Sequence, residues 1–558
     1  MIRQPISVYN NWSAYDELSD NVALTEELAL KQLDEMLRLR EAGVRMDYYL
    51  MDAFWFAEDG GYRTWRKPHF PDGPDNWLAG CLEHGIKPGL WVSTNTLTKL
   101  ICIDEWESSV NAQRSGMCLF TGGYLSHFME TLQRYYDRGV RMYKFDFADF
   151  WAHTPEVSRT MRHEEMAALN VATLKNALRV FRQKNPEVVL LAYNGFGGEL
   201  SGTSLPMLKT VDADWLTVFD SLYCGDPRPS DVPCMNFWRS KDIYSDHMVR
   251  YYESNDIPLE RIDNCAFMIG TTGTCYNRGT EAWKAMLLLS LARGGWVNVF
   301  YGNLDLLDAP KAEWFARAQS VFMPLLAHGR TCTFGGVPGE ATPYGYASTS
   351  PRGSAYTVVN PSQTVAEVNL PVLSDWQAPL AGGRVLFSDA GFEPELGDSF
   401  ITLGPEQVAL VGFGDYASED YDLGVQDDVV IPRQIAGVPA TFEATTSNSV
   451  SAVITAPAEG SLRIVMRQLN SDGTARRSTG GAPPSGVSMG NILCIGARQG
   501  DRDLPIRINY DKAIWSGLSW AVAEIDAADM EAGGQIAISC STSEIPGVDL
   551  DCRVYAVD

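Results

Sequence analysis

Four ionisable side chains stand where predicted strands end, and their types suit one kind of chemistry. They are Asp52, Lys144, Asp146 and Asp220. In a barrel of parallel strands, the carboxyl ends of the strands carry the catalytic groups. Cleavage of a glycosidic bond needs one ionised carboxylate and one protonated carboxyl group beside the anomeric carbon. Asp146 and Asp220 are predicted to form that pair.

The segment around Asp146 reads RMYKFDFADF. Strand alternation predicts Tyr143 and Phe145 on one face, with Lys144 and Asp146 on the other. A neighbouring ammonium group favours the ionised form of a carboxyl group, which a nucleophile requires. The same pattern equally suits a structural Lys–Asp pair that closes the barrel. The residues alone leave both interpretations open.

The first 330 residues or so alternate short apolar strands with amphipathic helices. The predicted strands are Ile6–Asn11, Asp47–Ala53, Lys87–Ser93, Arg141–Ala148, Val188–Asn194, Trp215–Ser221, Ala266–Thr271 and Val297–Tyr301. The predicted helices are Thr25–Ala42, Leu125–Arg138, Glu165–Lys184, Ser240–Glu253 and Glu281–Arg293. This order predicts an α/β fold, either a (β/α)8 TIM barrel or a large doubly wound sheet. No glycine-rich nucleotide-binding motif follows the first strand, which weakens the nucleotide-binding alternative.

Helical periodicity ends after His328, and short strands separated by turn residues follow. We therefore predict a catalytic barrel over residues 1–328 and a C-terminal antiparallel β-domain packed on it over 329–416. The acidic stretch Gly414–Asp428 is predicted to be a linker, and an additional β-sandwich domain is predicted over 425–558. Within that last domain, the turn-rich stretch Asn470–Gly486 predicts a long mobile loop.

The net charge and the cysteine spacing of the chain argue against several classes of partner and ligand. The formal net charge is −25, which repels phosphate backbones and anionic membranes, so neither nucleic acid nor a membrane is expected as a partner. The 11 cysteines are scattered without a C-x-x-C motif, so no metal site, no cofactor and no complete disulfide framework is expected. No apolar run is long enough to span a membrane. The chain opens without an apolar signal core, which predicts a cytoplasmic protein, although removal of a signal peptide would leave the same pattern.

Several motifs together resemble the clan D glycoside hydrolases, families 27 and 36, the α-galactosidase group. Lys144-Phe145-Asp146 is similar to the K-x-D motif of that clan's fourth strand. YNNW, which contains Trp12, resembles the early tryptophan that lines the pocket, and LMDAFW resembles the D-D-x-W of the second strand. KPHFPDGPDNWLAGCLEHGIKPGLWV is close to a family 36 run, and GGWVNVFYGNLDLL resembles the eighth strand and the loop after it. The match covers about 300 residues in the correct order.

The resemblance implies roles for individual residues. It implies that Asp146 is the nucleophile and that Lys144 binds a sugar hydroxyl. Both families place the acid/base Asp at the end of strand 6, where ADWLTVFDS sets Asp220 five residues after Trp215. Three nearby carboxylates remain alternatives for that role: Asp226, Asp231 and Asp242. Asp242 is also a plausible helix N-cap.

The remaining predicted sugar contacts lie near the strand ends. They are Trp12, Asp52, Trp91, Asn194, Asp226 and Arg228. Trp55 and Trp65 suit either a sugar-stacking face or the core, and Arg63 and Arg66 suit either a hydroxyl-rich ligand or a solvated loop.

Some positions depart from the family pattern. The family's Asp-Asp pair is Asp52-Ala53 here, and the family 27 Arg after the strand-6 Trp is Leu216. These changes alter which sugar hydroxyls find partners. The expected function is therefore a retaining exo-α-glycosidase, α-galactosidase-like, acting on an oligosaccharide or glycoside. N-acetylgalactosamine, arabinose and glucose are alternative sugars, and a non-catalytic carbohydrate-binding barrel is the alternative of another class.

Overall fold

A computed structural model describes most of the chain. The described residues are 4–12, 14, 24–52, 55–196, 212–225, 240–263, 267–270, 280–373, 380, 382–474, 493–508, 520–542 and 549–558. The predicted loop at 470–486 lies largely outside them. Within these ranges, no helix combines the length and apolar character needed to cross a bilayer.

Nine parallel strands form one curled sheet in the first part of the chain. They are β1 (Ile6–Asn10), β2 (Tyr48–Met51), β3 (Lys87–Ser93), β4 (Met142–Asp146), β5 (Val189–Ala192), β6 (Ser221–Tyr223), β7 (Ile262–Asp263), β8 (Met268–Ile269) and β9 (Val297–Gly302). Their order in the sheet is β7-β6-β5-β4-β3-β2-β1-β9-β8. The two edge strands, β7 and β8, are therefore adjacent along the chain.

One segment joins the two edges of this sheet. On one side, the amide of Cys224 donates to the carbonyl of Asp263 at 2.9 Å, and β7 pairs with β6. On the other side, the amides of Trp296 and Tyr301 donate to the carbonyls of Glu260 and Phe267 at 3.1 Å each. The described residues of this segment, 260–263 and 267–269, thus contact both edges of the sheet, and the predicted TIM barrel is confirmed.

Seven helices are described. They are α1 (Glu26–Glu41), α2 (Asp75–Glu83), α3 (Tyr124–Asp137), α4 (His163–Lys184), α5 (Ser240–Ser254), α6 (Trp283–Ala292) and α7 (Ala309–His328). Local sequence explains their ends. The Thr25 side chain accepts the Leu28 amide at 3.2 Å and caps α1, and Gly43 follows α1 with a φ of +93°.

Strand alternation places the residues of β4 as predicted. Tyr143 points outward, and its hydroxyl donates to the Leu132 carbonyl of α3 at 2.6 Å. Phe145 packs on Phe128 of the same helix, with ring centroids 5.9 Å apart. Met142 belongs to the apolar cluster inside the barrel. Lys144 and Asp146 share its face and therefore point to the interior.

The strand predicted at 215–221 is wrong. Residues Ala213–Thr217 form a 3-10 helix, and β6 begins only at Ser221. The indole of Trp215 stacks on Phe150 at 5.1 Å and lies 4.4 Å from Nζ of Lys175. The apolar run that suggested a strand is instead the buried side of this short helix.

The described residues after α7 form mainly antiparallel β-structure. One six-stranded sheet contains β10 (Arg330–Gly335), β11 (Tyr344–Ser350), β12 (Gly353–Val359), β17 (Val408–Gly414), β14 (Arg384–Ala390) and β18 (Gly424–Val430). A three-stranded sheet contains β13 (Ala366–Asn369), β16 (Phe400–Leu403) and β15 (Glu395–Leu396). β18 pairs parallel to β14, while the other pairs in these two sheets are antiparallel.

Two five-stranded sheets follow and enclose a separate apolar cluster. The first contains β19 (Ile435–Val438), β28 (Asp549–Val557), β22 (Ser461–Leu469), β26 (Trp520–Ile525) and β25 (Arg507–Ile508). The second contains β20 (Glu443–Thr446), β21 (Ser449–Thr455), β27 (Gln535–Thr542), β23 (Leu493–Gln499) and β24 (Arg502–Asp503). They form the predicted additional β-sandwich.

The acidic stretch predicted as a linker is attached to the molecule. Its residues 424–428 belong to β18 (Gly424–Val430), and the Gln426 side chain accepts the Ala285 amide of α6 at 3.0 Å. The indole of Trp314 donates to the Leu423 carbonyl at 2.8 Å. The prediction of a linker is corrected, because these contacts join the stretch to the barrel helices.

Candidate active site

Asp146 ends β4 with its carboxylate held by three N–H donors. The Trp91 indole donates to Oδ2 at 3.0 Å. The amides of Phe147 and Asn194 donate to Oδ1 at 2.9 and 3.0 Å. Donors on both oxygens fix the orientation of the carboxylate and stabilise its charge.

The backbone around Asp146 adopts an uncommon conformation to make these contacts. Phe147 has a φ of +46°, although it is not a glycine. Gly195 has a φ of +96°, and a Cβ there would lie 2.2 Å from the Ala148 carbonyl oxygen. A glycine is therefore required where the turn after β5 approaches the turn after β4.

Buried asparagines hold the loop that follows Asp146. Asn95 donates to the Asp149 carbonyl at 2.7 Å and accepts the Asp149 amide at 2.8 Å. Asn170 donates to the carbonyls of Phe150 and Ala152 at 2.8 and 2.9 Å. The strained residue after Asp146 is thus fixed by its surroundings.

Burial raises the pKa of Asp146 above its ordinary value. The positive charge of Lys144 and the indole donor of Trp91 act in the opposite direction. The sequence predicted that Lys144 alone would favour ionisation, but in the structure burial is the larger influence. The net result is a carboxylate whose proton affinity is higher than that of an exposed Asp.

Lys144 connects the strand ends on either side of it. Its ammonium group donates to Oδ2 of Asp52 at 2.7 Å, and both side chains are buried. It also lies 4.2 Å from the ring centroid of Tyr193 and 5.9 Å from that of Trp12. Three of the predicted sugar contacts, Asp52, Lys144 and Trp12, therefore lie together inside the mouth of the barrel.

Asp52 is oriented by the first strand as well. Its amide donates to Oδ1 of Asn11 at 2.7 Å, and Asn11 donates onward to Gln32 of α1 at 3.2 Å. These buried contacts leave Asp52 little freedom to move.

A third carboxylate lies at the barrel mouth, at a position for which the sequence analysis made no prediction. Asp263 ends β7 and is fully buried, and the Tyr193 hydroxyl donates to its Oδ2 at 2.6 Å. The Tyr301 hydroxyl lies 3.1 Å from that of Tyr193, and the Tyr223 ring stacks on Tyr193 at 4.2 Å. Asp263 follows only one apolar residue of a two-residue strand, which gave no periodic signal.

Asn10 is a second residue that the sequence analysis passed over. It ends β1 and is fully buried, and its Oδ1 accepts the Trp12 amide at 2.9 Å. Within the part of the chain that the structure describes, its amide Nδ2 has no acceptor. A buried donor of this kind costs about 1–3 kcal/mol when nothing accepts its hydrogen bond. It is therefore suited to receive a hydrogen bond acceptor from a ligand.

Asp220 does not join this group. It precedes β6, and its amide donates to the carbonyl of Leu190 near the start of β5 at 2.7 Å. Its carboxylate accepts the Leu190 amide at 2.8 Å and binds the guanidinium group of Arg182. Asp220 thus lies at the amino-terminal ends of the strands, whereas Asp146 lies at a carboxyl end. The prediction that placed it beside Asp146 is corrected, because the strand was assigned too early in the sequence.

The predicted tryptophans contribute in different ways. Trp91 is 1% exposed and stacks on Phe56 at 6.1 Å, so its contact with the site is the indole N–H. Trp55 and Trp65 are also buried, with ring centroids 4.6 Å apart, and belong to the core. Trp12 is partly buried against the interior cluster.

The remaining predictions divide between two cases. Asn194 lies beside Asp146, where its backbone amide makes the contact described above. Asp226, Arg228 and Asp231 fall outside the described residues, as does the side chain of Asp242. What the described site offers is an oriented carboxylate, a lysine–carboxylate pair and several hydroxyl and amide groups in one buried mouth. This set suits a neutral ligand rich in hydroxyl groups.

Comparisons with known proteins bear on the fold. No family model and no curated protein sequence matches the chain. Among solved structures, the galactosidase domain of an α-galactosidase–sucrose kinase has a TM-score of 0.52 at 14% identity, over 74% of this chain and 55% of that one. A family 36 α-galactosidase from Geobacillus stearothermophilus has a TM-score of 0.51 at 13% identity, over 74% and 56%.

A third similar structure belongs to family 27. It is a β-L-arabinopyranosidase from Geobacillus stearothermophilus, with a TM-score of 0.50 at 12% identity, over 74% of this chain and 96% of that one. Variants of the family 36 enzyme from the same organism are seen in complex with raffinose and stachyose. The aligned region spans a little over half the length of the first two chains and nearly all of the family 27 chain. The chain therefore has the barrel and β-domain fold of the clan D glycoside hydrolases.

Proposed function

We propose that the protein is a retaining α-glycosidase, α-galactosidase-like, with Asp146 as its nucleophile. The observation that carries the proposal is the geometry of Asp146. Its carboxylate stands at the carboxyl end of a barrel strand, with donors on both oxygens at 2.9–3.0 Å. These donors hold the carboxylate in one orientation, which an attack on an anomeric carbon requires.

In the first step, an oxygen of Asp146 attacks the anomeric carbon as the bond to the leaving oxygen breaks. A protonated carboxyl group donates its proton to that leaving oxygen. In the second step, that proton donor, now ionised, takes a proton from water, and the water oxygen attacks the anomeric carbon. Asp146 leaves as a carboxylate, and the configuration of the sugar is retained after two inversions.

For the proton donor we propose Asp226, one of the alternatives raised by the sequence. It is the first carboxylate of the chain after β6, which ends at Tyr223. Catalytic groups of this fold follow the carboxyl ends of strands. Asp220 precedes the same strand and is engaged by Arg182, so it is not retained in this role.

The sugar is expected to contact the residues that surround Asp146. Lys144 and the Asn10 amide supply donors, and Asp52 supplies an acceptor. The residue after Asp52 is Ala53. Positions 52 and 53 therefore supply one carboxylate, where the families that the chain resembles have two. We therefore keep N-acetylgalactosamine, arabinose and glucose as alternatives to galactose.

The test is hydrolysis of a panel of aryl α- and β-glycosides by the wild type and by Asp146→Ala. We expect turnover of one α-glycoside by the wild type and loss of that turnover in the variant. Full activity in Asp146→Ala would contradict the assignment of the nucleophile. Turnover of β-glycosides alone would contradict α-specificity, and sugar binding without any turnover would favour a carbohydrate-binding barrel.

A further inference from the structure

A second cavity is formed by the loops that follow β2 and β3. Its volume is about 400 Å³, which exceeds the space of a few waters at about 30 Å³ each. Polar side chains dominate its lining: Asp59, Arg63, Thr64, Asp104, Glu105 and His127. Apart from Arg63, none of these residues figured among the sequence-predicted sugar contacts.

Buried aromatic rings separate this cavity from Asp146. The series begins at His127 and Trp106, whose ring centroids are 5.7 Å apart, and continues to Tyr62 at 6.5 Å from Trp106. It then passes through Phe56 to Trp91, which contacts Asp146. A ligand in the cavity would therefore be out of reach of the nucleophile.

His127 is the one buried residue in the lining of the cavity. Its Nδ1 accepts the Trp106 indole N–H at 2.9 Å, so the proton of the neutral ring is on Nε2. His127 is 6% exposed, and within the described ranges of the chain its Nε2 has no hydrogen-bond partner. Burial and the charge of Arg63 lower the pKa of His127 and keep the ring neutral. His127 thus places a buried N–H donor without an acceptor just behind the cavity surface, and a sugar hydroxyl reaches it only when the side chains of the lining shift.

The rim of the cavity offers the complementary groups. Asp59, Asp104 and Glu105 supply carboxylate acceptors, and Arg63 supplies a guanidinium donor whose nearest acidic contact is Glu130 at 3.6 Å. The Ile101 side chain adds an apolar surface that is 57% exposed. Three carboxylates against one guanidinium group disfavour an anion.

A cation is also disfavoured. The described residues contain no cluster of three His, Cys, Asp or Glu side chains arranged to hold a metal. The Nε2 of His127 carries a proton, so it has no free lone pair with which to bind a metal cation. A hydroxyl group, in contrast, accepts from the imidazole and guanidinium N–H groups and donates to the carboxylates.

We infer that this cavity is a second carbohydrate-binding site, which holds one sugar unit without cleaving it. His127 and Arg63 donate to the sugar hydroxyls, the acidic rim accepts from them, and Ile101 covers an apolar face of the ring. The site is independent of the turnover proposed for Asp146, so either proposal can fail alone.

The test uses the full-length Asp146→Ala protein, labelled with ¹⁵N-histidine, and raffinose as the probe. We expect a saturable shift of the His127 imidazole resonance, which the His127→Phe variant identifies. Arg63→Ala should raise the half-saturating concentration about ten-fold or more, because a hydrogen bond from a charged donor is lost. Lys67→Ala is the matched control, because Lys67 is an exposed cation of the same loop that does not line the cavity. It should leave the titration unchanged.

Three results would overturn the inference. They are no shift up to the solubility limit of raffinose, a shift unaffected by Arg63→Ala, and the same shift with magnesium chloride in place of sugar. If His127→Phe does not fold, crystals of Asp146→Ala soaked in raffinose decide the question: sugar density against His127 supports the site, and ordered water alone refutes it. Activity of the wild type on aryl glycosides is measured separately and tests only the first proposal.

Discussion

Two buried carboxylate–cation pairs lie at opposite ends of the same barrel. Asp52 pairs with Lys144 at the carboxyl ends of the strands, and Asp220 pairs with Arg182 at the amino ends. Both carboxylates are almost completely buried, so burial and pairing alone do not separate them. The difference lies in the neighbours. Lys144 shares the barrel mouth with Asp146 and several hydroxyl groups, whereas Asp220 is enclosed by backbone and Arg182.

A buried, paired carboxylate therefore indicates function only together with its place in the fold. At the carboxyl ends, the loops leave room for a ligand. At the amino ends, Arg261 also donates to the carbonyl of Phe219 at 2.6 Å, and the groups form a structural closure. Variants at the two ends should therefore fail in different ways.

The largest effect is expected for Asp146→Asn. It removes the proposed nucleophile, so kcat/KM on the aryl α-glycoside should fall by about three orders of magnitude or more. The fold should persist, because the amide fills the same space. The Asn side chain cannot accept from both sides and so loses the Trp91 hydrogen bond. It also removes the ionised group that burial penalises by raising the pKa of Asp146, and this second effect is a gain in stability at neutral pH.

The size of that stability gain depends on pH. The folded-state pKa of Asp146 lies above its unfolded value, so the penalty is present above the folded pKa and disappears as the pH falls below the unfolded value. The Tm of Asp146→Asn relative to the wild type should therefore be lower in acid than at neutral pH. A relative Tm that rises in acid would contradict the raised pKa.

Asp220→Asn should show the opposite pattern. Loss of one partner of a buried ion pair typically costs about 3–5 kcal/mol of the free energy of unfolding, which chemical denaturation would measure. Turnover per folded molecule should stay within a few-fold of the wild type. Asp415→Asn is the matched control, because it removes the acidic partner of Arg352 in an exposed pair and should leave unfolding nearly unchanged. A stable but inactive Asp220→Asn protein would contradict this prediction and indicate a catalytic role for Asp220.

Trp91→Phe tests the contribution of the Trp91 indole N–H to catalysis at the barrel mouth. It keeps an aromatic ring but removes the indole donor to Oδ2 of Asp146. A hydrogen bond to a charged group contributes about 1.5–3 kcal/mol, so kcat should fall about ten-fold or more. Trp65→Phe removes an indole N–H that donates to Tyr135 in the core. The two variants should lose stability to a similar degree, and only Trp91→Phe should lose turnover.

A smaller change is expected in the pH profile of Lys144→Met. The charge of Lys144 lowers the pKa of Asp146 against the effect of burial. Without that charge, the pKa of Asp146 rises, and the acidic limb of kcat/KM should move to higher pH. Lys87→Met is the control, because Lys87 begins β3 at the other end of the barrel, over the Tyr48 ring. A shift to lower pH in Lys144→Met would contradict this role.

The barrel was largely predictable from the sequence, and specific residues explain where prediction failed. Stretches of four to seven residues in which most side chains are apolar predicted β1–β5. One of these stretches ends at Asp146. Residues 213–221 carry a similar run, but its aromatic side chains pack a 3-10 helix against α4, and a short run does not distinguish the two. Because β6 begins only at Ser221, Asp220 lies before this strand and not at its carboxyl end.

The candidate site was predictable only in part. Alternation along β4 placed Lys144 and Asp146 on one face, as the structure has them. The contact between Lys144 and Asp52 spans 92 residues, and the Tyr193–Asp263 contact spans 70. Such pairs arise from closure of the barrel, so no local pattern announces them. Asp263 and Asn10 came to light for this reason only in the structure.

The most direct test of the nucleophile assignment is chemical rescue of Asp146→Gly by azide. The substrate is the aryl α-glycoside that the wild type hydrolyses, and NMR identifies the anomeric configuration of the product. If Asp146 is the nucleophile, azide takes its place in a single displacement, and the product is the β-glycosyl azide. An α-glycosyl azide, or unimpaired hydrolysis without azide, would contradict the assignment.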